Sequence, residues 1–330
     1  MIIENAILHI VDAEQNSLIC TEQELNLAQA DIYDYLAKVT QRLLQTDMKS
    51  GYLPEESVVT QILQYPDFDF VARSIELVNR LFDLTKAEED IPCGDYIVEQ
   101  FEDEGKHYVA LFKLQHKAGF THFLQYEDGC VVNQLLLNRN LLPAPTVRLT
   151  EAVVIEIETL QYRLLEKERR IAGEKKAYLS ELFLQVQSPR QSINESLKEV
   201  KKAIKEIAKE TGAEEYQISA DLQQAVYDSV DETQSFDVND IGEKMFAGRP
   251  EQKEKFAALS AEKDWDTQPV ANTDQWLHKY RKQKFKLDNG IEIFIPMEVY
   301  QDSSAVEFVN QPDGSLSVII KNIDEIKNKF

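Results

Sequence analysis

The sequence predicts an α+β protein, in which an N-terminal antiparallel sheet with helices precedes a helical region that carries a small C-terminal antiparallel β unit. Three observations predict this class. Two runs rich in apolar residues, 96–101 and 108–114, stand on the two sides of a polar turn at residues 102–106, and we interpret them as strands of period two in a hairpin. An apolar stripe at helical spacing runs through residues 193–207. Turn sequences at residues 288–290 and 312–314 each separate two apolar runs, which is typical of hairpins.

The first half of the chain combines three helical patterns with many strand patterns. The predicted strands are residues 2–11, 17–20, 96–101, 108–114, 120–125, 131–137 and 152–157, with Asp128-Gly129 as one of the turns. Asp31 is the predicted N-cap of a helix that continues to Leu43. Two further helices are predicted at residues 55–65 and 70–84. Residues 1–158 are therefore the predicted N-terminal α+β domain.

Residues 159–330 are the predicted C-terminal domain, which is helical over residues 159–262. The predicted helices are residues 160–170, 177–186, a long helix from Ser188-Pro189 to a C-cap at Gly212, and residues 219–230, 238–246 and 250–261. Residues 264–273 contain Pro269 and no clear period, so they are the predicted linker. Two hairpins are expected between residues 279 and 322.

The charge of the chain restricts its partners. It has 58 acidic and 36 basic residues and a formal net charge of −22, so its overall field repels nucleic acids and acidic membranes. DNA binding therefore needs local basic patches. The three cysteines are far apart without a CxxC pair, which indicates a reducing compartment. No basic n-region precedes Glu4 and no uncharged apolar run approaches the ~20 residues of a membrane span, so we expect a cytoplasmic protein without a membrane partner.

The first local basic patch, which we call the C-terminal basic cluster, lies in the sequence WLHKYRKQKFKL at residues 276–287. It comprises Lys279, Arg281, Lys282, Lys284 and Lys286. If the segment is a strand, its last three lysines share one face, while Phe285 and Leu287 point to the other and can enter a core. The lysines could bind phosphates, or they could protect an edge strand from aggregation, and the sequence favours neither.

The second basic patch lies within residues 163–209, which contain twelve basic and seven acidic residues. Lys198, Lys201, Lys202 and Lys205 share one side of the predicted long helix, and we call them the helical lysine row. They could neutralise phosphates. The favoured alternative is an ordinary solvated helix face, on which Glu195 and Glu206 pair with Lys198 and Lys202.

Motifs of catalysis and of cofactor binding are not evident. The five histidines include no HxxxH pair, and no cysteine stands at ligand spacing from a histidine. His116 and His122 are expected at the surface. The chain has no GxGxxG, GxxxxGK[ST] or GxSxG motif, and with so many carboxylates an acidic pair carries no weight. We therefore expect no catalytic residue, no cofactor and no metal; a hydrolase or nuclease is the least favoured function.

Several segments, in their order along the chain, resemble a bacterial nucleoid-associated protein family of roughly this size. They are ILHIVD (7–12), ADIYDYLAKVTQRLL (30–44), GDYIVEQFEDEGKHYVALFKL (94–114), AVVIEIETL (152–160), GEKKAYLSELFL (173–184), FKLDNGIEIFIP (285–296) and DGSLSVIIKNI (313–323). The resemblance implies a location at the nucleoid and DNA binding, without catalytic residues. It assigns phosphate contacts to no particular position.

The sequence thus leads to two functional hypotheses. The first is a non-enzymatic, nucleoid-associated DNA-binding protein of low sequence specificity, which contacts phosphates through the C-terminal basic cluster and the helical lysine row. The alternative is an acidic interaction module that joins the nucleoid through a DNA-acting partner enzyme. A homodimer formed through the amphipathic helix at residues 193–207 is a further expectation, because a protruding helix must bury its apolar stripe.

Overall fold

The structure is a computed structural model, and it describes residues 1–12, 15–86, 88, 90–127, 130–209, 215–263, 265, 267–270, 272–300, 302–311, 315–325 and 327. The predicted turns at 128–129 and 312–314 and the predicted cap at Gly212 lie outside these residues. The chain divides into two compact units, Met1–Ser192 and Ile193–Phe330. The sequence places a domain boundary between residues 158 and 159. This boundary stays a prediction, because the two compact units do not by themselves define independently folding domains.

The first unit is an α+β unit. Its elements are β1 (Ile2–Asp12), β2 (Ser17–Ile19), α1 (Ala30–Leu44), β3 (Lys49–Tyr52), α2 (Val58–Gln64), α3 (Phe70–Thr85), β4 (Gly94–Asp103), β5 (Lys106–Gln115), β6 (Lys117–Glu127), β7 (Cys130–Leu141), β8 (Ala152–Glu156), β9 (Gln161–Leu165), β10 (Arg169–Ile171), β11 (Glu174–Lys176) and a π-helix (Leu179–Leu184). Seven strands form an antiparallel sheet in the order β2-β1-β4-β5-β8-β9-β3. The predicted antiparallel sheet is confirmed.

Helices cover both faces of this sheet. The apolar stripe of α1 packs on one face, where Leu36 and Val39 join Phe101 and Phe112 in a core. Helices α2 and α3 and the π-helix cover the other face. All five residues of β8 are buried, because successive side chains of a central strand enter opposite cores.

Strands β6 and β7 do not join the seven-stranded sheet. Among the described residues they pair only with each other and form a separate antiparallel hairpin, so the predicted strands at 120–125 and 131–137 are confirmed but stand outside the main sheet. Many of their apolar side chains are exposed.

Three local predictions in this unit are wrong. Residues 160–170 form β9 and β10 instead of a helix, because Tyr162 and Leu164 alternate with less buried residues and enter the sheet core. Gln29, and not Asp31, occupies the N-cap of α1; Asp31 lies in the first turn, where a carboxylate suits the helix dipole.

The side chain of His116 is buried, with Nε2 3.0 Å from Asp95 Oδ1, whereas His122 is exposed as expected.

The second unit consists of helices followed by small hairpins. Its elements are α4 (Ile193–Lys209), α5 (Glu215–Thr233), β12 (Ser235–Phe236), α6 (Val238–Met245), α7 (Pro250–Glu262), β13 (Gln268–Pro269), α8 (Thr273–Tyr280), β14 (Lys282–Lys286), β15 (Glu292–Pro296), α9 (Met297–Tyr300), β16 (Val306–Asn310) and β17 (Leu316–Ile320). The pairs β14–β15 and β16–β17 are the two predicted hairpins.

The core of the second unit buries the apolar stripe of α4. Val200 and Ile204 are fully buried and pack with Val226, Ile241 and Phe256 from α5, α6 and α7. The stripe is therefore covered within its own unit, so the expectation that α4 protrudes is wrong, while the homodimer itself stays a prediction. The long helix also begins at Ile193, later than the Ser188-Pro189 signal predicts.

The segment predicted as a linker is packed where the structure describes it. Trp265 lies in the core, and β13 pairs with β12. Across the described part of the chain, the helices are too short or too polar to cross a lipid bilayer.

Candidate nucleic-acid interface

The β14–β15 hairpin carries the last three lysines of the C-terminal basic cluster. Leu287 donates its N–H to the carbonyl of Ile291 at 2.8 Å, which closes the hairpin around residues 288–290. Gly290 has a φ of 88°, in the left-handed region that glycine adopts without a steric penalty. The Asn289-Gly290 pair thus sets the turn, as the sequence predicted.

One face of the hairpin is exposed and basic. Lys282, Lys284 and Lys286 are exposed, and they lie opposite Pro296, Phe294 and Glu292. Cross-strand partners point to the same side of a sheet, so the exposed ring of Phe294 lies among these lysines. The Lys284 amino group is 6.0 Å from the centre of that ring. The predicted strand alternation is confirmed, and we call this surface the lysine face.

The opposite face fixes the hairpin to the rest of its unit. Phe285 contacts the rings of Tyr300 and Phe308, with centroids 5.9 and 5.2 Å away. The buried amide of Gln283 donates to the carbonyl of Ala220 in α5 at 2.9 Å. The predicted inward position of Phe285 is confirmed, and Leu287 is half-buried.

Helix α5 also holds the main chain at the start of the lysine face. The side-chain amide of Gln223 donates to the carbonyl oxygens of Tyr280 and Lys282, at 3.1 and 2.9 Å. These contacts involve backbone groups at the end of α8 and the start of β14, and no lysine side chain. The position of the face is therefore set independently of its charges.

The other two members of the C-terminal basic cluster lie outside the strand. Lys279 is in the last turn of α8, where its amino group is 5.0 Å from the centre of the Tyr280 ring and donates to Asn194 Oδ1 at 3.4 Å. Arg281 follows the helix, and its guanidinium is 3.5 Å from Glu298 Oε1. Cations at this end of a helix also offset its dipole.

The helical lysine row lies on α4 of the same unit. Lys198, Lys201 and Lys202 are exposed, and Lys205 is half-buried. Within the described ranges, no carboxylate lies at ion-pair distance from the first three, so the expected pairs with Glu195 and Glu206 are absent there. The link from the C-terminal basic cluster to this helix is the bond from Lys279 to Asn194, one turn before the row.

A buried charged cluster in the first unit was not foreseen from the sequence. Glu151 lies 3.0 Å from the guanidinium of Arg169 and 3.7 Å from the Lys113 amino group. Burial lowers the pKa of Lys113 and raises that of the nearby Tyr178. The cluster ties β10 to the sheet, which is a structural role. In the described residues, no group of three or more His, Cys, Asp or Glu side chains is arranged to hold a metal ion.

The structure adds two residues to the candidate site, Phe294 and Gln223. Residues 291–295 have the sequence IEIFI, in which alternate side chains point to opposite sides of the strand. Together with the register against β14, this alternation predicts that Phe294 is exposed. No local pattern marks Gln223, because its role depends on contacts with residues more than fifty positions away.

Comparison with known proteins gives one match to a protein family. The model of the family described as NA37, nucleoid-associated protein YejK, matches residues 7–327, nearly the whole length. No curated protein matches the chain.

Proposed function

We propose, from the premise that the chain belongs to the NA37 family of nucleoid-associated protein YejK, that it binds DNA directly. The proposed contacts are to phosphates and have low sequence specificity. The order of the chain's segments predicted this family. The proposed function is non-enzymatic, and its place is the nucleoid in the cytoplasm. Family membership supports the nucleoid-associated role; direct contact with DNA is the step that we add.

The observation that carries the proposal is the lysine face. Three exposed ammonium groups follow one another at alternate positions of a strand, about 7 Å apart, on a hairpin whose backbone is fixed by Gln223 and Gln283. In the described part of the chain, no carboxylate pairs with them at ion-pair distance. Each phosphate that such a group neutralises releases a counterion, which favours binding.

The chemistry of this face explains the low specificity. A lysine ammonium is a point charge without the planar pair of donors that arginine offers to a guanine edge. The nearby guanidinium of Arg281 is shared with Glu298. The exposed ring of Phe294 can stack on any base that leaves the duplex, so it adds little sequence preference.

The remaining basic residues have supporting roles in the proposal. Lys279 and Arg281 extend the positive surface towards α8, and Lys198, Lys201, Lys202 and Lys205 form a second row on α4. The exposed members of that row would add to the number of phosphates that the chain neutralises.

The test is a triple substitution of the lysine face, Lys282→Glu, Lys284→Glu and Lys286→Glu. We expect affinity to fall on every DNA sequence alike, and the dependence of log affinity on log salt to become flatter by about 3, one unit for each lost phosphate contact. The measurement is a titration of fluorescent duplexes of several sequences, with the full chain, at a series of salt concentrations.

A matched control separates the face from the overall charge. Lys253→Glu, Lys255→Glu and Lys321→Glu change the net charge equally, but these lysines already contact Glu243, Glu251 and Glu307. We expect the control to retain most of its DNA affinity and its salt dependence. Equal losses in the two variants would contradict the lysine face as the contact. Aggregation of the first variant with unchanged affinity would favour edge protection instead.

A second candidate function is supported by the charge of the whole chain. The second unit has 18 basic and 27 acidic residues, a net charge of −9, and the first unit accounts for the other −13. Such a surface fits a basic, DNA-acting partner enzyme through which the chain reaches the nucleoid. This alternative predicts that the purified chain does not retard DNA even at low salt, yet co-purifies with such an enzyme.

A further inference from the structure

The β6–β7 hairpin exposes an apolar face that nothing in the proposed DNA contact uses. Its register places Phe120 opposite Leu137 and Tyr126 opposite Val131. The same side carries Leu124 and Leu135, with His122 and Asn133 between them. We call the six apolar residues Phe120, Leu124, Tyr126, Val131, Leu135 and Leu137 the apolar face.

These side chains are open to solvent. Phe120 is 68% exposed, Tyr126 73% and Leu135 70%, and the other three are also exposed. The opposite side of the hairpin is mixed, since Thr121, Gln125 and Gln134 lie there beside Phe123 and Leu136, which are 49% and 42% exposed. An isolated two-stranded hairpin is at best marginally stable in water, so an exposed apolar side of this kind indicates a surface that is covered by a partner.

We propose that the apolar face is the interface between two copies of this chain, which pack their β6–β7 hairpins face to face in a two-fold dimer. Two such hairpins would form a four-stranded sandwich, with sheets about 10 Å apart. A two-fold interface uses the same patch on both copies, and a flat apolar patch is complementary to itself.

The charge pattern favours a second copy over other occupants. Residues 117–141 contain two basic residues, Lys117 and Arg139, and two acidic residues, Glu127 and Asp128, so this segment is neutral in a chain of net charge −22. Two copies repel each other elsewhere, and a neutral segment is where they can meet. The apolar face itself contains no charged residue, so it offers neither a contact to phosphates nor an ion pair to an oppositely charged protein.

The available area fits a dimer as well. With about 200 Å² for a whole aromatic side chain and somewhat less for an aliphatic one, the exposed fractions correspond to on the order of 600 Å² per copy. Two copies then bury roughly 1,200 Å², the lower limit for specific and stable interfaces. The rims of the hairpins would add to this area.

The test compares two adjacent residues of β7 that point to opposite sides. Leu135→Glu places a charge in the apolar face, and Gln134→Glu places the same charge on the other side. The measurement is sedimentation equilibrium of the full chain across the micromolar range, where the monomer has a mass of 38.0 kDa. We expect a dimer for the wild type and for Gln134→Glu, and a dissociation constant about 30-fold higher or more for Leu135→Glu.

A second variant on the other strand guards against a local loss of structure. Tyr126→Lys introduces the opposite charge into the same face and is expected to weaken the dimer as well, with the circular dichroism of both variants unchanged. A wild-type chain that stays monomeric throughout the range overturns the proposal, even if it captures another protein through this hairpin. So do equal dissociation constants for Leu135→Glu and Gln134→Glu, and so do open polymers that grow with concentration.

Discussion

Two buried titratable residues of the main sheet are held in their neutral forms. Glu99 in β4 is fully buried and accepts a hydrogen bond from the hydroxyl of Thr40, and burial raises its pKa to about 8. His9 in β1 is fully buried, 3.1 Å from the hydroxyl of Ser74, and burial lowers its pKa to about 4. At neutral pH the sheet therefore contains two ionisable groups that carry little charge, because a charge there would lose its hydration.

The pKa values of these residues predict opposite effects of pH on stability. For Glu99 the folded pKa is above the unfolded value of 4.5, so the stability it contributes is lost as the pH rises through 8. For His9 the folded pKa is below the unfolded value of 6.5, so stability is lost as the pH falls from 6.5 towards 4. Between pH 6.5 and 9, Glu99 is the one of these two residues whose titration changes the free energy of unfolding.

Glu99→Gln is expected to remove this pH dependence. Over the range from pH 6.5 to 9 the wild type should lose on the order of 2 kcal/mol of unfolding free energy to Glu99, and the variant should not, because a glutamine has no proton to lose. Urea denaturation of both proteins at a series of pH values measures the difference. If the unfolding free energies of the wild type and of Glu99→Gln changed in parallel over that pH range, Glu99 would not be protonated in the folded state.

The attachment of the β14–β15 hairpin to α5 gives a test that changes no charge. Gln223→Ala removes the two hydrogen bonds to the carbonyls of Tyr280 and Lys282. The hairpin must then be ordered when DNA binds, and we expect the affinity for DNA to fall on the order of 5-fold, the effect of a typical hydrogen bond.

Gln224→Ala is the matched control for this substitution. The side-chain amide of Gln224 donates to Asp228 Oδ1 within α5 at 2.7 Å and has no bond to the hairpin. DNA titrations of the two variants at one salt concentration compare them directly. If both bind as the wild type does, the orientation of the lysine face has no influence on binding.

The elements that sequence reasoning found are those with a local signal. Helix α3 has regular apolar spacing, and β4 and β5 are mainly apolar runs on the two sides of a polar turn, so these local patterns predicted them. Strand β3 was missed because the sequence KSGY has almost no apolar character and becomes a strand only by pairing with β9. Helix α8 was missed because it buries none of its residues fully and therefore has no apolar stripe.

The candidate site divides in the same way. The alternate positions of Lys282, Lys284 and Lys286 can be read from the sequence once a strand is assumed, and the Asn-Gly turn supports that assumption. Which cations lack an ion pair cannot be read locally. Arg281 meets Glu298 through the folding of α9 against the hairpin, whereas Lys202 has none of the pairing that its i, i+4 neighbour Glu206 suggested.

The two proposals together predict a dependence of affinity on the length of the DNA. A dimer carries two lysine faces, so a duplex that reaches both holds the second face at a high local concentration. A long duplex offers more binding sites than a short one, which by itself raises the apparent affinity. We expect the affinity for the long duplex to exceed that for the short one by more than this statistical factor. In Leu135→Glu this excess should disappear, while binding to the short duplex stays unchanged.

Titrations of short and long duplexes with the wild type and with Leu135→Glu measure this effect. A length effect that persists in a monomeric variant would show that the gain comes from additional sites along the DNA and not from a second copy of the chain. Loss of short-duplex binding in the variant would instead place the β6–β7 hairpin in the DNA contact itself.

The backbone attachment of the lysine face separates the support of this surface from its chemistry. Gln223 and Gln283 bind through carbonyl groups of α5 and of the β14 segment, and Phe285 fills the space beneath. The outward positions can therefore accept other side chains without loss of the fold. Under the proposed contact with DNA, the exchange of residues 282, 284 and 286 one at a time would change the time that relatives of this chain stay on the chromosome in small steps, while the architecture remains the same.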